Sequence, residues 1–249
     1  MKYRLLGRSG LRVSELCLGT MTFGEDWGWG ADKPTSRALY DAYRAAGGNF
    51  FDTANRYTEG TSERYLGEFC ASERDQVVLA TKFTLWTRRD DPNACGNHRK
   101  NMVQALEASL KRLGTDRVDV FMLHSPPADV LTDAALFDKL SRLKDAGKIR
   151  CLGVSVESMV DVPLAARLPG VAALQLPIGR PERQALAPLL PELTARGIAV
   201  VGREVFAGSD GAPSRASLLR EAVALPGLAV ALVGMSSRRH LEANLATLA

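Results

Sequence analysis

A carboxylate, a phenol, an ammonium and an imidazole follow one another along this chain, each placed where a short apolar run gives out. Asp52 closes the run FFD, Tyr57 lies in the Gly-, Thr- and Asn-rich loop beyond it, Lys82 follows VVLAT, and His124 follows VDVFML. Such groups suit proton transfer and the stabilisation of a developing charge. A tyrosine has an ordinary pKa of about 10, so it donates poorly at neutrality unless a cation stabilises its phenolate. Taken singly, each residue has a plainer reading: a strand-end lysine is a solvated cap, a lone histidine packs in a core, and Tyr57 covers a loop. Four of them at successive strand ends argue for a site. Ser155, Gln175 and Arg203 fall at or near the ends of three later apolar runs.

The elements that must position these groups show a steady rhythm. Strand-like apolar runs occur at 16–18, 50–51, 77–80, 118–123, 152–154, 172–176, 199–201 and 230–233. Helical patterns lie between them at 34–46, 62–69, 98–113, 132–146, 158–166, 182–196 and 214–224, and a last one at 238–247 closes the chain. Pro34 sits near a first turn, Gly47, Gly114, Gly147 and Gly197 follow last turns, and Leu106, Leu110 and Leu113 keep helical spacing. Pro188 and Pro191 are expected to kink or split the sixth helix. Residues 2–15 read as a hairpin around Gly7–Gly10.

Eight strand and helix pairs in 249 residues match an α/β fold of the (β/α)8 TIM-barrel kind, preceded by a β-hairpin, as one domain over 1–249. In a barrel all these strand ends meet at one face. A doubly wound sheet shows the same alternation, but its glycine fingerprint is poorly matched: in GWGADK, Lys33 stands where the third glycine belongs.

Composition narrows the class. With 46% hydrophobic and 24% charged residues the chain reads as globular, and its net charge of +4 is interspersed with acids, which does not call for nucleic acid. No apolar run approaches the length of a membrane span, and the N-terminus lacks the apolar block of a signal peptide. The four cysteines, at 17, 70, 95 and 151, are scattered, as for reduced thiols in a reducing compartment, so a cytoplasmic location is expected. Cys95 and His98 form a single C-x-x-H step, which without a second pair of ligands is read as a loop coincidence, and no metal is expected.

Asp52, Tyr57, Lys82 and His124, in this order at the ends of strands two to four, resemble the tetrad of the aldo-keto reductase superfamily. So do the segments GRSGLRVSELCLGTMTFG, FFDTANRYTEGTSERYLGE, SLKRLGTDRVDVFMLH and GKIRCLGVS, and the terminal GMSSRRHLEANL. The resemblance covers nearly the whole chain. It implies reduction of an aldehyde or ketone, with Tyr57 as the general acid, Lys82 lowering its pKa, Asp52 holding the lysine and His124 orienting the carbonyl. It implies a reduced nicotinamide dinucleotide, NADPH by the family's habit with NADH open. Ser155 and Gln175 map to positions that hold the carboxamide. Gly234, Ser236, Arg238, His240 and Asn244 map to the loop and helix start that receive the adenosine phosphate.

The pattern departs from the family at several points. Val156 replaces an Asn beside Ser155, and Arg203 replaces an aromatic that stacks on nicotinamide, although a guanidinium also stacks on flat rings. The stretch VGREVFAGSDGAPSRAS is shorter than its counterpart. Trp27, Trp29 and Trp86 are equally suited to walling a pocket or anchoring loops. Short loops lead us to expect an open pocket. The competing readings are a cofactor-binding regulatory barrel with little turnover, and a Schiff-base lyase using Lys82 as nucleophile.

Overall fold

The computed structural model describes residues 1–208 and 214–248. Strands β1 (Tyr3–Leu5) and β2 (Arg12–Ser14) form an antiparallel hairpin across the 3-10 turn Gly7–Ser9. Eight parallel strands follow: β3 (Leu16–Gly19), β4 (Phe50–Asp52), β5 (Val78–Phe83), β6 (Val118–His124), β7 (Ile149–Ser155), β8 (Val171–Pro177), β9 (Ala199–Arg203) and β10 (Leu228–Gly234). They pair in chain order, and β10 pairs with both β9 and β3, so the sheet closes on itself. Closure decides against the doubly wound sheet, which would keep two open edges.

Every strand of the barrel is buried on both faces, and the alternation of side chains sorts them into two cores. Leu18, Phe51, Leu79, Phe121 and Leu174 point outward, where the helices cover them. Cys17, Phe50, Val78, Ala80, Val120, Met122, Cys151, Ala173 and Val201 point inward and fill the barrel. Asp52, Lys82, His124, Ser155, Gln175 and Arg203 each stand two or four residues beyond an inward-facing apolar residue on the same strand. Strand periodicity therefore aims all six into the barrel at its C-terminal end.

The helices are α1 (Lys33–Ala45), α2 (Thr61–Cys70), α3 (Arg99–Leu113), α4 (Ala134–Asp145), α5 (Val162–Ala166), α6 (Arg180–Leu186), α7 (Leu190–Ala195), α8 (Arg215–Val223) and α9 (Arg238–Leu248). Their starts have local causes: Asp32, Asp133 and Ser214 accept from backbone N–H groups of the first turns of α1, α4 and α8. The expected helix at 182–196 is split into α6 and α7, as its prolines suggested. The segment 158–166, expected as one helix, is instead a 3-10 turn, Met159–Asp161, followed by α5. Pro163 there starts a new helix in its first turn, where its missing N–H costs nothing. Of the short stretch after β9, residues 209–213 lie outside the described residues.

The hairpin closes the far end of the barrel. Leu6 and Val13 are fully buried in the interior core, and Gly7 lies so close to β8 and to the turn before β9 that a Cβ would come within 2.4 Å of the Ala172 and Gly197 carbonyl oxygens. On the helical side, the wholly buried Glu63 of α2 accepts from Arg112 of α3 at 2.6 Å and from Thr81 of β5 at 2.6 Å. Gly67 allows α2 and α3 to touch: a Cβ there would sit 2.5 Å from the Leu113 oxygen. These contacts clamp the β4–α2 loop, which carries Tyr57, against the barrel.

Candidate active site

At the C-terminal end of the barrel lies a cavity of about 590 Å³, lined among others by Asp52, Tyr57, His124, Trp27, Arg203 and Gly234. Lys82 lies just behind its wall. The lysine is wholly buried, and its ammonium donates to Asp52 Oδ1 at 2.5 Å, to the Thr53 carbonyl at 2.9 Å and to the Tyr57 hydroxyl at 3.3 Å. Gln175 Nε2 donates to the other Asp52 oxygen at 2.9 Å, and Ser155 Oγ donates to Gln175 Oε1 at 3.2 Å. A continuous polar chain thus crosses the barrel from β7 through β8 to β4 and β5.

The Tyr57 loop is held from below by hydroxyls. Ser62 bonds to Thr20 and Thr53, Thr20 donates to the Asp52 carbonyl at 2.9 Å, and Thr58 donates to the Phe23 carbonyl at 2.6 Å. The rings of Tyr57 and His124 meet edge to face with centroids 5.9 Å apart. The His124 amide donates to Thr84 Oγ1 at 3.2 Å, while its Nδ1 is buried with no hydrogen-bond partner among the described residues.

Electrostatics assign these groups distinct protonation states. Burial works against the Lys82 ammonium, but Asp52 and the Tyr57 oxygen outweigh it and hold its pKa above the ordinary lysine value. Burial, followed by the nearby Lys82, Arg203 and Arg56 cations, pushes His124 down to about 3, so its imidazole is neutral at physiological pH. For Tyr57, burial pushes the pKa up and Lys82 pulls it down; burial wins, and the phenol stands above its usual value. The pull expected of Lys82 is present, and burial outweighs it. The ammonium offsets part of a burial penalty, and the hydroxyl keeps its proton at neutrality.

The backbone is strained around the same face. Among the described residues, the non-glycine positions with left-handed φ are Thr58 (46°), Glu59 (52°), Thr84 (102°), Ser125 (54°) and Glu204 (58°). Each lies within two residues of Tyr57, Lys82, His124 or Arg203. Such conformations cost about 1–3 kcal/mol each and persist where the surroundings over-determine them.

Of the residues mapped to a cofactor, Ser155, Gln175, Arg203 and Gly234 line the cavity. Gly234 pairs with Gly19, and a Cβ on Gly19 would come within 3.3 Å of the Gly234 nitrogen, so two bare strand ends leave this side of the cavity open. Ser236, Arg238, His240 and Asn244 lie outside its lining, on the ridge that continues into α9. Arg238 pairs with Glu242 at 2.7 Å, Ser236 and His240 are exposed, and Asn244 is buried with its amide donating to Met235 Sδ at 3.3 Å. Arg203 is not free: it pairs with Glu157 at 2.5 Å and with Glu204, and donates to the Val156 carbonyl at 3.3 Å. Sequence reading missed Glu157 and Glu204 as its partners. The signal available was only that each flanks a strand end.

The tryptophans divide. Trp27 lines the cavity and donates to Glu59 at 2.9 Å, Trp29 packs against it at a centroid distance of 5.6 Å, and Trp86 carries Arg56 and Arg89 against its ring. His98, half of the C-x-x-H step, caps α3 by accepting from the Asn101 N–H at 3.2 Å through Nδ1. Among the described residues no helix is long and apolar enough to cross a membrane.

The model of the Aldo/keto reductase family matches residues 15–212. The norsolorinic acid reductase stcV of Emericella nidulans is 41% identical over 157 residues, covering 59% of this chain and 40% of that protein. A putative aryl-alcohol dehydrogenase of Saccharomyces cerevisiae is 40% identical over 135 residues, 49% of this chain and 64% of that protein. The match thus spans well under half the length of the norsolorinic acid reductases. A solved structure of a putative aldo-keto reductase from Pseudomonas aeruginosa superposes with a TM-score of 0.84 at 28% identity, over 98% of this chain and 93% of that one. An aldo-keto reductase from Bacillus halodurans in its holo form gives 0.81 at 26% identity, over 100% and 91%.

Proposed function

Because the chain belongs to the aldo/keto reductase family, we propose that residues 1–249, acting as one barrel domain, reduce an aldehyde or ketone to an alcohol using a nicotinamide dinucleotide, NADPH in preference to NADH. The observation that carries this reading is the contact of Asp52, Lys82 and Tyr57 in one buried chain that ends on a phenol at the cavity wall, beside a neutral histidine.

The cavity suits such a cofactor. Gly19 and Gly234 leave room for a flat ring to approach the barrel backbone, and Arg203, whose bonds to Glu157, Glu204 and Val156 lie at the guanidinium edge, keeps a flat face for stacking. Ser155 and Gln175 are already bonded to one another, but each retains a lone pair or N–H for a carboxamide. When bound, the reduced nicotinamide supplies the hydride, which no side chain can.

The protein's own residues do the rest. Tyr57, protonated at rest because burial outweighs Lys82, gives its proton to the carbonyl oxygen as charge develops there. The Lys82 ammonium, fixed by Asp52 and the Thr53 carbonyl, stabilises the phenolate left behind. Its charge thus acts in the transition state more than in the resting enzyme, which is where stabilisation accelerates a reaction. His124, neutral, orients the carbonyl oxygen through a ring N–H and is not a proton source. A positioned acid of this kind is worth about 10²–10⁴-fold. Attack by Lys82 as a free amine has no support, because the group is wholly buried and held as an ammonium.

Following NADPH consumption against a panel of aldehydes and ketones tests the reading. Relatives named for aryl alcohols put aromatic aldehydes first in that panel. Consumption matched by alcohol formation is expected; saturable cofactor binding with no turnover of any carbonyl would favour the regulatory-barrel alternative.

A further inference from the structure

The loops after β4 and β5 bring two cations to the cavity mouth. The Arg56 guanidinium carbon lies 4.0 Å from the centroid of the Trp86 ring, and that of Arg89 lies 4.4 Å from it. Both arginines line the cavity. Stacking holds a guanidinium by its flat face and leaves its N–H donors available at the edge.

The other cations of the site are neutralised. Lys82 is matched by Asp52, and Arg203 by Glu157 and Glu204. Among the described residues, neither Arg56 nor Arg89 has a carboxylate at ion-pair distance or donates a side-chain hydrogen bond to the protein. The remaining acid at the mouth, Glu59, accepts from the Trp27 indole N–H and keeps its charge, but it lies outside ion-pair distance of both arginines. Stacking on Trp86 accounts for where the two guanidinium groups lie, but it leaves the N–H donors at their edges unused by any carboxylate of the protein. The arrangement presents two sets of donors to an anion at the cavity mouth, one from the half-buried Arg56 and one from the exposed Arg89. Arg56 also directly precedes Tyr57 and acts electrostatically on His124, which ties this anion seat to the reacting end of the cavity.

We infer that the substrate is a carbonyl compound bearing an oxyanion group, carboxylate or phosphate, which Arg56 and Arg89 hold while the carbonyl faces Tyr57 and His124. This names the substrate class of the proposed reductase and rests on that reading.

The test compares kcat/KM for 4-formylbenzoate and 4-formylphenyl phosphate with that for the neutral 4-formylbenzamide. At least one anionic aldehyde is expected to exceed the amide by about tenfold or more, mainly through KM, with the advantage shrinking as salt is raised. Arg56→Met and Arg89→Met keep an apolar stem against Trp86, and each is expected to cut that ratio by about threefold or more. If the wild type reduces all three aldehydes alike, the anion seat is wrong and the reductase reading stands.

If none is reduced, the reductase reading fails, and calorimetric titration with benzene-1,4-dicarboxylate and benzene-1,4-dicarboxamide decides the seat independently. Saturable binding of the dicarboxylate alone, weakened in both variants, supports it. No binding, equal binding of both compounds, or binding unchanged in the variants overturns it.

Discussion

Gln175 on β8 donates through Nε2 to Asp52 Oδ2 on β4 at 2.9 Å, across the inside of the barrel, while the other Asp52 oxygen holds the Lys82 ammonium. A residue mapped to cofactor contact is thereby built into the support of the proposed proton donor. Ser155 extends the link to β7, so cofactor end and acid end share one buried network.

Replacing Gln175 with Leu leaves a buried carboxylate oxygen without its donor. A loss of about 1–3 kcal/mol in unfolding free energy is expected, read from urea denaturation of the wild type and the variant. Equal midpoints and slopes would show that the bond contributes nothing.

The Asp52–Lys82 pair is 3% and 0% exposed, so its two halves cannot be removed separately without stranding a charge. Lys82→Met alone should destabilise by about 3–5 kcal/mol, whereas Lys82→Met with Asp52→Asn should recover much of that loss while remaining inactive. Chemical denaturation of both variants checks the stability, and carbonyl reduction checks the activity. Recovery of turnover in the double variant would contradict the role given to the ammonium.

His124 supplies a pH dependence of definite sign. Its folded pKa of about 3 lies below the ordinary histidine value, so between the two the unfolded chain binds a proton that the folded chain does not. Its contribution to stability is complete above the unfolded value and is lost as pH falls through this window, at about 1.4 kcal/mol per pH unit where the difference is full. Thermal melts from pH 7 to 4.5 should show a shallower fall for His124→Asn than for the wild type. Parallel curves would mean that His124 titrates normally.

Much of the site was legible because it depends on strand parity. Asp52, Lys82 and His124 follow inward-facing Phe50, Ala80 and Met122 at the even spacing a strand imposes, and closure of the barrel brings their ends together. The loops obey no such period. That Trp86 would carry Arg56 and Arg89, or that Arg203 would be held by Glu157 and Glu204, depends on backbone turns such as those at Thr84 and Glu204, whose left-handed φ no residue type announced. The net direction of the Tyr57 shift was not legible for a related reason. The lysine's pull can be anticipated from residue types, but the opposing burial is set by the packed loop.

In the proposed reaction the Tyr57 hydroxyl protonates the substrate oxygen. Tyr57→Phe removes that hydroxyl and keeps the ring, so single-turnover reduction of the best carbonyl substrate with NADPH tests it directly. A fall of about 10²–10⁴-fold in the reduction rate is expected, with cofactor titration still saturating. Reduction at the wild-type rate by the phenylalanine variant would contradict it.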